Sequence, residues 1–117
     1  MQAELSIVKL FLDKEVWTTY NHYLDGNDFP EELKLLYRTL DSFHKINEES
    51  LHLLDLANLF FSKHPKDKEY YEGVFDTLAT YEPNKATVIE LIQSIKNKKV
   101  LREISIKSYE AAEGKAS

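Results

Sequence analysis

Apolar positions along this chain recur with the spacing of helices. Between residues 4 and 13 they are too dense for a half-exposed strand, and they predict a short, mostly buried helix. Apolar residues between positions 16 and 24 predict a second short helix, and the polar turn sequence at 25–28 ends it.

The third helix has the clearest start. Asp28 is expected to cap it, Pro30 suits its first turn, and Glu31 and Glu32 complement the positive end of the helix dipole. Its buried face is predicted from apolar residues spaced three and four apart, which are Leu33, Leu36, Tyr37, Leu40 and Phe43.

Two more short helices follow. A polar loop at 47–50 precedes a helix over 51–61, which Pro65 terminates. A fifth helix opens at Asp67 and closes at Pro83. Its predicted inward positions are Tyr70 or Tyr71, Val74 and Leu78.

The last segment, 84–113, contains neither Pro nor Gly. A continuous helix of that length would run about 45 Å, whereas a domain of this size has a radius of gyration of about 13 Å. Such a helix would therefore either protrude or break.

Two apolar stripes run along this segment. At about 100° per residue, the apolar residues before position 96 lie on one side of the helix, and those directly after position 99 lie on the opposite side. The polar residues 96–99 separate the two stripes. Either the first half packs on the body while the second half needs a different partner, or the chain breaks near Asn97 and both halves fold onto one core. The first stripe comprises Val88, Leu91, Ile92 and Ile95, the second comprises Val100, Leu101 and Ile104, and Ile106 and Tyr109 return to the first side.

Composition agrees with an all-α fold. The chain has 117 residues with only three Gly and three Pro, fewer than strands joined by tight turns normally need. We expect a compact bundle of about five to six short helices followed by a long C-terminal helix. Without Cys there is no disulfide or thiolate chemistry. No apolar run approaches the ~18 residues of a membrane span, and no basic signal segment opens the chain, so a cytoplasmic protein is expected.

Charge is distributed unevenly. Residues 1–83 carry eight Lys or Arg against sixteen Asp or Glu, whereas residues 84–117 carry seven against four. Because phosphate binding depends on clustered positive charge, the acidic body argues against strong direct binding of nucleic acid. The basic end remains able to contact DNA or an acidic partner.

No motif for catalysis emerges. Gly114 and Lys115 lack the upstream glycine and the hydroxyl residue of a phosphate-binding loop. The four histidines show no zinc spacing and are expected to be solvated or partly packed at the surface. The acidic pairs at 31–32 and 48–49 are expected at helix starts. We therefore expect no enzyme active site, no cofactor and no metal in this chain.

Two further groups of residues have competing interpretations. The aromatic side chains at 60, 61, 70, 71 and 81 are interpreted as core and interface groups rather than base-stacking platforms. The basic cluster at 96–107 is interpreted as a solvated face in preference to a functional patch.

Three stretches together resemble the N-terminal domain of DnaB-type replicative DNA helicases. Residues 7–17 look like the opening helix of that family. Asp28 and Phe29, followed by Tyr37 and Leu40, look like the start of its third helix. Residues 95–104 look like its basic run ending in Arg-Glu-Leu. The likeness spans nearly the whole chain, and it rests on the order and spacing of motifs that are individually weak.

Two departures point to a divergent, bacteriophage member. The family often has Gly where Val8 and Lys9 stand. Its Pro-Ile-Asp loop before the fourth helix is replaced by Ile46, Asn47 and Glu48.

The resemblance implies a collar domain over residues 1–113, with 114–117 as a frayed tail or the start of a linker. Such a domain pairs with its neighbours in a hexameric ring and helps to dock primase and, in some systems, a helicase loader. ATP and Mg²⁺ would belong to a motor domain outside this chain. Residues 84–113 would match the first arm of the family's helical hairpin. The expected contact residues for self-association or a partner are Lys98, Lys99, Leu101, Arg102, Ile106 and Tyr109.

Two alternatives remain open. A free-standing helical adaptor or inhibitor that binds a replication partner would lack the motor domain. A small nucleic-acid-binding domain, favoured only by the basic end, would show salt-sensitive binding.

Overall fold

Residues 2–98 are described by the structure, a computed structural model, and this range forms six α-helices and no strand. The predicted all-α fold is thereby confirmed. The helices are α1 (Gln2–Leu10), α2 (Lys14–Tyr20), α3 (Glu31–Ile46), α4 (Leu53–Lys63), α5 (Lys68–Ala79) and α6 (88–98). Single turns of 3₁₀ helix lie at Asn21–Tyr23, Gly26–Asp28, Pro65–Asp67 and Lys85–Thr87.

Helix α1 occupies the centre of the bundle. Ile7 and Val8 in its C-terminal half, and Phe11 directly after it, are completely buried, and the helix contacts both α3 and α5. This burial explains why the apolar residues of the first segment lack the spacing of an amphipathic surface helix. A helix that is covered on most sides needs apolar residues on most sides.

The predicted face of α3 is confirmed. Leu33, Leu36, Tyr37 and Leu40 are buried, and Phe43 packs against the core as a half-buried side chain. On α5 the inward residues are Tyr71, Phe75 and Leu78, and Tyr71 packs on Phe60 of α4 with 4.5 Å between ring centroids. The prediction that Val74 faces inward was only half right, because Val74 lies at the edge of the core.

Two predicted helix starts were wrong. The N-cap position of α3 is Pro30, with no side-chain cap, and Asp28 lies inside the preceding 3₁₀ turn instead. Glu48 and Glu49 are not in the first turn of a helix, because α4 begins only at Leu53. Carboxylates are common both in turns and at helix starts, so sequence pattern did not separate these two environments.

Helix α6 begins later than expected but follows the predicted first stripe. Asn84 caps the 3₁₀ turn Lys85–Thr87, and α-helix runs from 88 to 98 without a break at Asn97. Val88, Ile92 and Ile95 are buried against the body. Residues 99–113, which would complete the predicted hairpin arm of residues 84–113, lie outside the described residues, and so does the predicted domain limit at residue 113.

Candidate protein-interaction surface

The C-terminal end of α6 is held to the body by an ion pair with a buried carboxylate. Lys96 Nζ lies 3.1 Å from Oδ1 and 3.0 Å from Oδ2 of Asp28. The Asp28 side chain is completely buried, and its Oδ2 also accepts a hydrogen bond of 2.8 Å from the backbone N–H of Asp25. This carboxylate therefore joins the 3₁₀ turn that precedes α3 to a lysine 68 residues further along the chain.

A second lysine ties the same end of α6 to α1. Lys98 Nζ lies 3.6 Å from Oε1 of Glu4, whose side chain is almost fully buried. Lys98 is one of the six predicted contact residues, and here it anchors the helix within its own chain while remaining about half exposed. The other five, Lys99, Leu101, Arg102, Ile106 and Tyr109, lie outside the described residues.

The side of α6 that lies next to the end of α2 carries exposed apolar surface. Ile89 is 52% exposed and Tyr23, in the neighbouring 3₁₀ turn, is 53% exposed. Together with Tyr20, Ile92 and Gln93 they line a hollow of about 270 Å³. Exposed apolar side chains that cluster next to a half-buried helix are typical of protein contact surfaces.

Neither anchor was identified from the sequence. The turn at 25–28 does have the spacing of a capping box, Asp25 followed three residues later by Asp28, and that signal was available. Glu4 is a lone carboxylate in a dense apolar helix, which is a sign of a buried and partnered charge. Their lysine partners were not predictable, because about ninety residues separate Lys98 from Glu4.

His44 is the one histidine whose environment differs sharply from the prediction. It was expected near the surface, but it is 1% exposed and its ring stacks on Trp17 with 5.0 Å between centroids. Its Nε2 donates to the carbonyl oxygen of Phe11 at 2.6 Å, because a carbonyl only accepts. Nδ1 is buried without a hydrogen-bond partner among the described residues. The neutral ring is therefore a packing element of the core.

Stability should fall on mild acidification because of this histidine. Burial lowers the pKa of His44 below its usual range, and the nearby ammonium group of Lys14 acts in the same direction. On acidification the unfolded chain therefore binds a proton at His44 more readily than the folded chain does. The contribution of the neutral His44 to the free energy of unfolding is complete above about pH 6.5, and it is lost as pH falls toward the lowered folded-state pKa.

Urea unfolding at pH 7.5 and pH 5.0, followed by the fluorescence of the single tryptophan, would test this expectation. The His44→Gln variant should lose most of the difference in unfolding free energy between these two pH values. The control variant His52→Gln, which changes an exposed side chain, should keep it. An equal pH dependence in His44→Gln and the unmodified protein would contradict this assignment.

Within residues 2–98 no cluster of three or more His, Asp or Glu side chains is placed to hold a metal ion. In the same range, no helix combines the length and the apolar character that crossing a bilayer requires. The features of α6 that could serve an interaction are its two ion pairs with the body and the apolar hollow beside it.

Comparisons with known proteins return nothing for this chain. No protein-family model, no curated protein and no solved structure matches it.

Proposed function

We propose that this chain is the non-catalytic N-terminal domain of a DnaB-type replicative DNA helicase, where it mediates subunit association and docks primase or a loader. The observation that carries the proposal is the way α6 meets the body. Val88, Ile92 and Ile95 of the first apolar stripe are already buried against the body. Lys96 and Lys98 fix the orientation of the helix just before residue 99.

A helix that continued in this orientation would present the second stripe to a partner. If the helix continues at about 100° per residue, Val100, Leu101 and Ile104 point away from the face that Val88, Ile92 and Ile95 bury. A helix that is apolar on two opposite faces needs two surfaces to cover them. The body supplies one surface, and a neighbouring subunit or a partner protein would supply the other.

Charge supports protein contacts over nucleic-acid contacts. The body over residues 1–83 has twice as many acidic as basic side chains, so a phosphate backbone would be repelled by most of the domain. Two of the lysines in the basic cluster, Lys96 and Lys98, already face carboxylates of this chain. Fewer cations of the cluster are therefore left for DNA.

The mechanistic contribution would be positional. Holding several motor domains in one ring, and primase next to that ring, raises the effective concentration of each for the others without new chemistry. ATP and Mg²⁺ would be bound by the motor domain and not by this chain. The setting would be the cytoplasm of the bacterial host.

Sequencing the parent gene beyond codon 117 tests the helicase assignment. We expect a phosphate-binding loop of the form GxxxxGK[ST] within the next couple of hundred codons, because a helicase needs an ATPase motor. An immediate stop codon would contradict the helicase assignment and would favour a free-standing helical adaptor. Capture of primase by the purified full chain then tests the docking role, with Leu101→Asp as the variant expected to weaken it.

A further inference from the structure

A shallow groove runs between α1 and α5, on a face of the body that the proposed self-association does not yet use. Two adjoining hollows, of about 420 Å³ and 260 Å³, share Leu5 and Thr77 and so form one groove. Its rims carry exposed aromatic side chains, Tyr70 at 51% and Tyr81 at 37% exposure. The groove is lined by Leu5, Tyr70, Gly73, Val74, Thr77 and Tyr81.

Gly73 lines this α1–α5 groove and leaves open space where another residue would place a side chain. Apart from its neighbours in the chain and the backbone of α5 itself, a methyl group built there would meet no described atom within 4 Å. A glycine in the middle of a surface helix lowers helix stability relative to alanine, and its absence of a side chain permits close approach of another backbone. One end of the groove is closed by a hydrogen bond between the Tyr81 hydroxyl and the Ser6 hydroxyl.

One flank of the groove is acidic. Glu69 and Asp76 lie four residues before and three residues after Gly73, so they are its neighbours on the surface of α5. Glu72 extends the same acidic side, and all three are exposed. The only basic residue of α5, Lys68, contacts Glu72 at 3.9 Å, on the side of the helix away from the groove.

The chain itself contains a segment of matching chemistry. Residues 99–109 hold Val100, Leu101 and Ile104 at helical spacing, together with three cations and a single carboxylate. The cations are Lys99, Arg102 and Lys107.

Geometry separates this segment from the groove of its own chain. Lys98 meets Glu4 on one side of α1. Gln2, Leu5 and Ser6, which line the groove, lie on roughly the opposite side of α1 at about 100° per residue. The described chain therefore ends on the far side of α1 from the groove.

We propose that the α1–α5 groove receives residues 99–109 of a second copy of this chain. The inference rests on the proposed function, because it takes that segment as the element of self-association, and it adds where the segment binds. The apolar side chains enter the groove beside Gly73 and Leu5, and the cations face Glu69 and Asp76. This is the helix-in-groove mode of recognition with charge complementarity at the rim.

This mode of binding would give the assembly of subunits a head-to-tail direction. A segment of one copy that binds a different surface on the next makes a heterologous contact, which closes into a ring or extends as a filament. Pairing of the segment with its own counterpart would instead be isologous and would stop at a dimer.

Substitution of Gly73 tests the inference in the full chain. Gly73→Arg fills the groove and places a cation against the basic segment. It also replaces a poor helix former with a good one, so the fold should be retained. Sedimentation velocity over a range of concentrations should show self-association weakened about tenfold or more. Gly73→Ala, which leaves most of the groove open, and Asn58→Arg, which adds the same charge on α4, should associate like the unmodified chain.

Mixing two variants distinguishes the two modes of pairing. Gly73→Arg retains an intact segment and Leu101→Asp retains an intact groove, so each alone should be largely monomeric while an equimolar mixture forms one-to-one complexes. If Gly73→Arg associates as strongly as the unmodified chain, the groove proposal is overturned while self-association through residues 99–109 stands. If the unmodified chain never associates, both are overturned.

Discussion

Replacing Asp28 with alanine is expected to lower the free energy of unfolding by about 3 kcal/mol. The loss combines charge-assisted hydrogen bonds, each worth about 1.5–3 kcal/mol, with a backbone N–H at Asp25 that loses its acceptor. Relief of the cost of burying a carboxylate offsets part of that loss. Because Lys96 is 42% exposed, its ammonium group can turn toward water once the carboxylate is gone, which also limits the cost.

Urea unfolding at pH 7.5 would measure this effect, with two companion variants. Asp28→Asn keeps the volume and an acceptor for the N–H of Asp25, so it should lose about 1 kcal/mol. Glu72→Ala removes an exposed carboxylate whose lysine partner lies 3.9 Å away, and it should change stability by about 0.5 kcal/mol or less. If Asp28→Ala were as mild as Glu72→Ala, the contact between Asp28 and Lys96 would not be what holds α6 to the body.

The fold was largely predictable because its signals are local. The apolar spacing along α3 and the proline at position 65 after α4 are signals that span only a few residues. Both helices are present in the structure, with small shifts at their ends. The first stripe of α6 was found in the same way, and its residues Val88, Ile92 and Ile95 are buried. Periodicity is informative wherever one face of a helix is covered.

Long-range pairing was not predictable in this way. Asp28 was assigned to the cap of α3, because a carboxylate near a helix start is ordinarily a cap, whereas its partner Lys96 comes from the other end of the chain. His44 was expected to be solvated or partly packed at the surface, because it has no zinc-site spacing, but the ring stacks on Trp17 and donates a hydrogen bond to a carbonyl 33 residues away. Such contacts depend on how the helices cross, which no single stretch of sequence encodes.

The groove was missed for a related reason. The sequence offered Tyr70 as an inward or interface residue and gave Gly73 and Thr77 no role, and the groove that these residues line exists only because Leu5 of α1 lies beside them. The assignment of the expected contact residues still rests on the sequence. Lys98 is the one that the described range contains, and its contact with Glu4 was unforeseen.

Replacing Leu101 with aspartate is expected to weaken self-association by about 2 kcal/mol or more, because a carboxylate at the centre of an apolar contact must be desolvated without a partner. The fold of the body should be unchanged, because helical spacing places Leu101 on the stripe opposite the one that Val88, Ile92 and Ile95 bury. Circular dichroism and the urea midpoint provide that control. Glu90→Gln, an exposed change on α6, serves as the matched variant that should associate normally.

Sedimentation equilibrium of the full chain and of Leu101→Asp, at several concentrations, would establish whether the segment after α6 carries self-association. The unmodified chain should show a molecular mass that rises with concentration, and Leu101→Asp should stay at the monomer mass with unaltered stability. A variant that associates like the unmodified chain would contradict the claim, as would a variant that fails to fold, because Leu101 would then belong to the core.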